Sequence, residues 1–357
     1  MGAIYIVETN YNYEGAALLE SVIGFEALYE SMLKCKKNVI WKDSVAHFHL
    51  NGIEQTLKLE KELKDGTYTA RPPKEFTITY PKKREAVSIS FRDRVYQRSM
   101  NDNVIYPLMS KQFIFDNLAC QEGKGTDLAR TRLKEFLQKF YRKHGTNGYV
   151  LKCDIHGYYP NMRHDVAEAC FAKRLPPEIY ERTERVLREQ YKGEVGYNPG
   201  SQLIQIAGIS VLSPLDHFIK EKLRIKFYLR YMDDFIMIHE DQNYLEYCRA
   251  EIQKFLAKGG FELHPRKTRI QHVTDKLTFL GFDYLLTSTG KVVMLVSSEA
   301  VKRNRKKLFR MVQKVKRGEM PRSKVDECFK CQLDHLRKGN SFKLLQRYCA
   351  YYKSLWR

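Results

Sequence analysis

The chain has 357 residues, enough to bury a large core, and no run of about 18 apolar residues that could span a membrane. Its N-terminus lacks the basic and apolar segments of a secretory leader, so a cytoplasmic protein without a membrane partner is expected. With 62 Lys+Arg against 42 Asp+Glu, the net charge is +20; together with 12% aromatic residues this favours a nucleic-acid partner over an acidic or neutral one.

In chain order, residues from about 20 to 65 read as helical. Phe25, Leu28, Tyr29 and Met32 recur at i, i+3, i+4 and i+7, and a second helical stretch ends near Leu63, before Gly66. Residues before Phe25 support no reading. Phe76–Tyr80 and Ala86–Phe91 alternate as two strands, with Pro81-Lys82-Lys83-Arg84 at the turn, predicting a hairpin with cations at its tip. Helical patterns run from about 92 to 143, broken at Gly123-Lys124-Gly125, and lead into a strand, Tyr149 to Ile155, that carries Asp154.

A helix is expected near 165–191, a loop from Gly193 to Gly200, and a helix over about 201–222. A hairpin centred on Asp233-Asp234 follows, then a helix near 242–257 and strands around 260–270, 277–286 and 291–296. The last 60 or so residues read as basic helices, with Leu308, Val312 and Val315 forming an apolar stripe amid Lys302, Arg303, Arg305, Lys306, Lys307 and Arg310. The eight cysteines are scattered, as expected of reduced thiols. Cys328-x-x-Cys331 with His335 has no fourth zinc ligand at a suitable spacing, so the pair reads as two half-buried core thiols on one helix.

The chemistry concentrates at Tyr231-Met232-Asp233-Asp234. Two adjacent carboxylates sit inside the apolar run from Tyr228 to Ile238, where mutual repulsion and desolvation call for a compensating cation or proton. An exposed Asp-Asp turn is the plain alternative, and the apolar flanks weigh against it. Asp154 ends a similar β-rich run. The pattern predicts a small antiparallel sheet with helices on one face, on which Asp154 and Asp233 share two divalent cations about 3.5–4 Å apart for phosphoryl or nucleotidyl transfer. Carboxylate and phosphate oxygens suit Mg2+, two ions of it.

At these residues the chain resembles a reverse transcriptase of the prokaryotic retroelement type, over roughly residues 25 to 285. Tyr231-Met232-Asp233-Asp234 is similar to that family's YxDD box, and Lys152-Cys153-Asp154-Ile155 with Tyr158-Tyr159-Pro160 to its first palm motif. The resemblance implies an α+β, right-hand polymerase fold: an N-terminal helical extension (1–65), fingers (66–145), a palm of antiparallel sheet with helices (146–289, with a fingers insertion at about 170–200) and a small helical thumb (290–357). It implies that Asp154 and Asp233 bind both ions, assisted by the Ile155 carbonyl and the nearby charge of Asp234. Tyr159 becomes the steric gate against a ribose 2′-hydroxyl. Lys82 and Arg84 would contact the triphosphate, Lys267 would neutralise or protonate the departing pyrophosphate, and Phe279-Leu280-Gly281 would form the primer grip.

Pro199-Gly200-Ser201-Gln202-Leu203-Ile204-Gln205 stands where most of the family has Gln-Gly, three variable residues and Ser-Pro. Pro199, Gly200 and Gln205 are expected over the nascent base pair, and Pro199 in place of glutamine suggests loosened base discrimination. A similar change marks diversity-generating and defence-associated enzymes. Retron signatures are missing, added maturase domains do not fit after Gly281, and the N-terminal extensions or RNase H domain of telomerase-like or viral enzymes are not expected. The implied partners are an RNA template, a DNA or RNA primer, dNTPs, a dedicated non-coding RNA and an accessory protein. An RNA-synthesising or template-independent polymerase of the same fold, or a catalytically silent RNA-binding module, are the rival expectations.

Overall fold

The computed structural model describes residues 11–79 and 84–357. Four helices come first: α1 (Tyr11–Ile23), α2 (Phe25–Lys36), α3 (Asp43–Leu50) and α4 (Gly52–Lys64). α1 falls inside the N-terminal helical extension expected over 1–65, and it begins before about residue 20, where the helical pattern was read to start. The antiparallel pair β1 (Lys74–Ile78) and β2 (Arg84–Ser88) forms the expected hairpin, although its turn, with Lys82, lies outside the described residues. The second strand stops at Ser88 and not at Phe91, because Ser90 takes the N-cap of α5 (Phe91–Met100), accepting from the Asp93 amide at 3.2 Å. A π turn at Asn101–Ile105 joins α5 to α6 (Tyr106–Ser110), and α7 (Thr126–His144) follows.

The centre is the antiparallel sheet β4-β5-β3-β6, made of β3 (Tyr149–Asp154), β4 (Phe227–Tyr231), β5 (Asp234–His239) and β6 (Arg269–His272). Between β3 and β4 lie α8 (His164–Ala172), α9 (Pro177–Gln190), α10 (Gln202–Val211) and α11 (Ser213–His217). The single helix expected at 165–191 is thus two: Pro176 and Pro177 push the preceding backbone out of the α region, and Pro177 starts the next helix at its first position. After α12 (Gln242–Ala257), the strand expected at 260–270 is displaced to its C-terminal end and beyond, as β6. Pro265 sits in a turn in which the Lys267 and Thr268 amides donate to the His264 carbonyl, leaving only a bridge between Leu263 and Ile155.

A second antiparallel sheet joins β7 (Leu277–Phe279), β8 (Phe282–Leu286) and β9 (Val292–Val296), and α13 (Ser298–Lys316), α14 (Arg322–Arg337) and α15 (Phe342–Ser354) close the chain. The central sheet is covered on both faces and not on one. Leu151, Cys153, Phe235 and Met237 join the core beneath α8 to α12, whereas Val150, Ile236 and Ile238 join a second core with α7, β7 to β9 and α13 to α15. The uninterrupted apolar run Phe235-Ile236-Met237-Ile238 is the signal of such two-sided burial. Leu308 and Val312 are buried as expected; Cys331 is exposed, so of the two α14 thiols only Cys328 is half-buried.

Candidate active site

β3 and β5 pair in a register that sets Asp154 directly opposite Asp234. Opposed residues share a face, so both carboxylates point to the side that carries Val150, Lys152 and Ile236. Tyr231 pairs with Asp234, which leaves Met232-Asp233 as a two-residue hairpin loop. Met232 takes φ 58°, the left-handed conformation such tight hairpin turns require. The Ile155 amide donates to the Asp233 carbonyl at 3.2 Å, tying the tip of the loop to the end of β3.

Lys267 comes from the turn before β6 and donates to both oxygens of Asp154, at 2.8 and 3.0 Å. The His264 amide donates to the Asp154 carbonyl at 2.7 Å, so the same turn grips that residue through main chain and side chain. Asp234 has a different cation: Lys152 Nζ lies 3.4 Å from its Oδ1 and donates to the Thr278 carbonyl in β7 at 3.0 Å. Lys152 stands inside the first palm motif but was given no role from the sequence. Its position two residues before Asp154, hence on the same strand face, was the available signal.

Burial pushes the Asp234 carboxyl up to about 6, with Lys152 opposing the rise and the charges of Asp154 and Asp233 adding to it. Asp233 is also raised, by burial first and then by Asp154, against the pull of Lys267 and Arg230. A carboxyl whose folded pKa lies above its unfolded value stabilises the fold only while protonated. That contribution is full below about pH 4 and is lost as pH rises through about 6. In chelator, Asp234→Asn should therefore be more stable than wild type near pH 8, by at most about 3 kcal/mol, and equal to it near pH 4. Thermal melts at the two pH values check this; a constant difference between them would contradict the burial argument.

Among the described residues no three His, Cys, Asp or Glu side chains are grouped so as to hold a metal by themselves. The donor set is nevertheless hard and anionic: the neighbouring aspartates Asp154 and Asp233, the adjacent main chain, and a buried Asp234 Oδ1 whose cation, Lys152, stands off at 3.4 Å. This fits a divalent ion that completes its shell with water and phosphate oxygens.

Tyr159 packs its ring on α10. A Cβ added to Gly208 would lie 2.6 Å from the Tyr159 hydroxyl oxygen, which is itself buried and unpartnered. Tyr158, by contrast, is core: its hydroxyl donates to the Gly208 carbonyl at 2.5 Å. Gly208→Ala should force the Tyr159 ring off its seat, costing about 1–3 kcal/mol of stability and raising the KM for nucleotide about tenfold, measurable by melts and steady-state kinetics.

Gly200 lies against β2, where a Cβ would come 2.7 Å from the Val87 carbonyl oxygen. Pro199 is exposed beside it, and exposed Gln205 lines a cavity of about 380 Å3 with Lys34, Arg98, Asn101, Tyr106 and Cys120. Phe279 is buried, and Leu280 (φ 46°) with Gly281 (φ 84°) makes the tight β7–β8 turn anticipated there. Arg84 begins β2. The residues that the structure gathers at one end of the two inner strands, β3 and β5, are thus Asp154, Ile155, Asp233, Asp234 and Lys267, with Thr278 linked in through Lys152.

A further pair was not anticipated. Arg230 and Asp216 are fully buried and bonded to each other at 2.7 and 2.5 Å, behind the hairpin. A lone cation inside the apolar run Tyr228-Leu229-Arg230 was its trace in the sequence.

Helices packed around an antiparallel sheet whose hairpin tip presents acids, flanked by a β-hairpin on one side and a helical bundle on the other, define a right-hand polymerase. The model of the reverse transcriptase (RNA-dependent DNA polymerase) family matches residues 78–284, more than half of the chain, and the protein belongs to that family. Solved structures that the chain matches include apo telomerase from Candida tropicalis truncated from its C-terminal domain (16% identity, 68% of this chain and 60% of that one, TM-score 0.46). Apo telomerase from the same organism shows 14% identity over 62% of this chain and 47% of that one, TM-score 0.48. Telomerase from Candida albicans, in complex with a TWJ fragment of telomeric RNA, shows 13% identity over 82% of this chain and 56% of that one, TM-score 0.50. The chain thus spans less than two thirds of each, and the likeness to the Candida albicans structure is one of fold alone. No curated protein matches the sequence.

No helix among the described residues is long and apolar enough to cross a membrane.

Proposed function

We propose that the protein is an RNA-directed DNA polymerase of a bacterial or phage retroelement or antiviral defence system, acting in the cytoplasm and adding dNTPs to a primer 3′-hydroxyl on an RNA template. The observation that carries this is the β3–β5 register, which brings Asp154 and Asp234 opposite each other with Asp233 at the adjoining turn. Asp154, Asp233 and the Ile155 carbonyl would hold two Mg2+, with Asp234 adding charge; such ions activate the attacking hydroxyl and stabilise the leaving oxygen.

The remaining roles belong to the chain. Tyr159, seated on Gly208, excludes a ribose 2′-hydroxyl, and Lys82 with Arg84 offsets triphosphate charge. Lys267 moves from Asp154 to the departing pyrophosphate and gives it a proton. Pro199, Gly200 and Gln205 border the templating pair, the Phe279-Leu280-Gly281 turn holds the primer end, and the basic face of α13 follows duplex phosphates. The prokaryotic assignment rests on the ordered motifs between residues 25 and 285 and on the change at Pro199 to Gln205, although Pro199 and Ile204 depart from the diversity-generating pattern as well; a dedicated non-coding RNA and an accessory protein are the further partners proposed. Primer extension on an RNA template with dNTPs against NTPs, with Asp233→Ala as control, tests the activity. Absence of template-dependent dNTP addition refutes it. Sequencing RNA and cDNA that co-purify separates defence from diversification.

A further inference from the structure

We propose that the Arg230–Asp216 pair is a brace that sets the catalytic turn, making Arg230 a positioning residue for Asp233; this rests on the polymerase reading above. The guanidinium makes four bonds from a site with no solvent exposure. Nε and Nη2 donate to the two Asp216 oxygens at 2.7 and 2.5 Å, Nη2 also donates to the Ile209 carbonyl at 3.1 Å, and Nη1 donates to the Met232 carbonyl at 3.0 Å. One side chain therefore ties together α10, α11 and the turn that carries Asp233.

The pair is poorly explained by stability alone. Burying two charges costs desolvation that their attraction seldom repays beyond what apolar side chains of equal volume would supply. What the charges add is direction. A planar fork with fixed donor angles can hold the carbonyl of Met232, a non-glycine residue at φ 58°, against relaxation of the turn. The main chain at Arg230 is itself clamped: its amide donates to Asp116 and its carbonyl accepts from Leu118, both at 2.9 Å. Asp216 is oriented by the Tyr228 hydroxyl, which donates to it at 2.6 Å. Ile209 follows Gly208, against which the Tyr159 ring sits, so the guanidinium is anchored on the same helix that carries that seat.

Two variants test this. Tyr228→Phe/Arg230→Met/Asp216→Leu removes the network while keeping volume. Arg230→Lys keeps a cation for Asp216 but has no planar fork to serve Asp216, Ile209 and Met232 together. The triple variant should melt at or above the wild-type temperature, bind primer–template and dNTP within about twofold of wild type, and lose kcat about 30- to 100-fold. Arg230→Lys should fall between, about tenfold down in kcat with KM unchanged.

Wild-type kcat in either folded variant, or a loss confined to KM or primer–template affinity, overturns the brace. If the triple variant does not fold, Arg230→Lys alone decides by the same criterion. Hydrogen exchange at residues 231–235 needs no turnover and should quicken in Arg230→Lys; unchanged exchange also overturns the proposal. Should wild type add no nucleotide at all, the polymerase reading fails while this exchange measurement still judges the brace.

Discussion

Asp233→Ala is expected to abolish nucleotide addition, lowering kcat by about a thousandfold or more, roughly 4 kcal/mol of barrier. Asp233 sits in the two-residue loop between β4 and β5, its carbonyl held by the Ile155 amide, so its carboxylate is placed by backbone pairing on both sides. The fold should survive the change. Burial and the charge of Asp154 raise the Asp233 carboxyl above its ordinary range, which means that the metal-free fold bears a cost for ionising it and not a gain. Melting of Asp233→Ala in chelator should therefore match or exceed wild type while primer extension disappears. Retention of more than about a tenth of the activity would remove Asp233 from the chemistry and with it the two-ion reading.

Tyr159→Ala is expected to collapse the preference for deoxynucleotides, reducing the ratio of kcat/KM for dNTP over NTP by about 100-fold. The ring is wedged over Gly208 by contacts that leave it little freedom to withdraw, and its hydroxyl has no hydrogen-bond partner to lose. Selectivity should thus be steric, changing with ring volume, and Tyr159→Phe should keep it. Side-by-side kinetics with dATP and ATP on one template measure the ratio. An unchanged ratio in Tyr159→Ala would transfer the discrimination elsewhere, and a wild type that prefers NTPs would favour an RNA-synthesising enzyme.

Much of the site was legible because its signals are local. Two adjacent aspartates in an apolar β-rich run, a third at the end of another, and a glycine where β7 turns into β8 can all be read without knowing what lies beside them. The split at Pro176-Pro177 and the two-sided burial announced by Phe235-Ile236-Met237-Ile238 were also written locally, although a longer helix and a one-sided sheet fit the periodicity as well.

By itself, then, the sequence determined the three acids, Lys267, the aromatic pair Tyr158-Tyr159 and the order of the elements that bear them, but not Lys152 or Arg230. Only the tertiary structure decided the pairings. Asp154 opposes Asp234 and bonds Lys267, Lys152 serves Asp234 and Thr278, and Arg230 disappears into the core with Asp216. Strand register and the partner of a buried charge depend on the packing of residues far apart in the chain, 113 apart for Lys267 and Asp154, and no local propensity encodes that free energy.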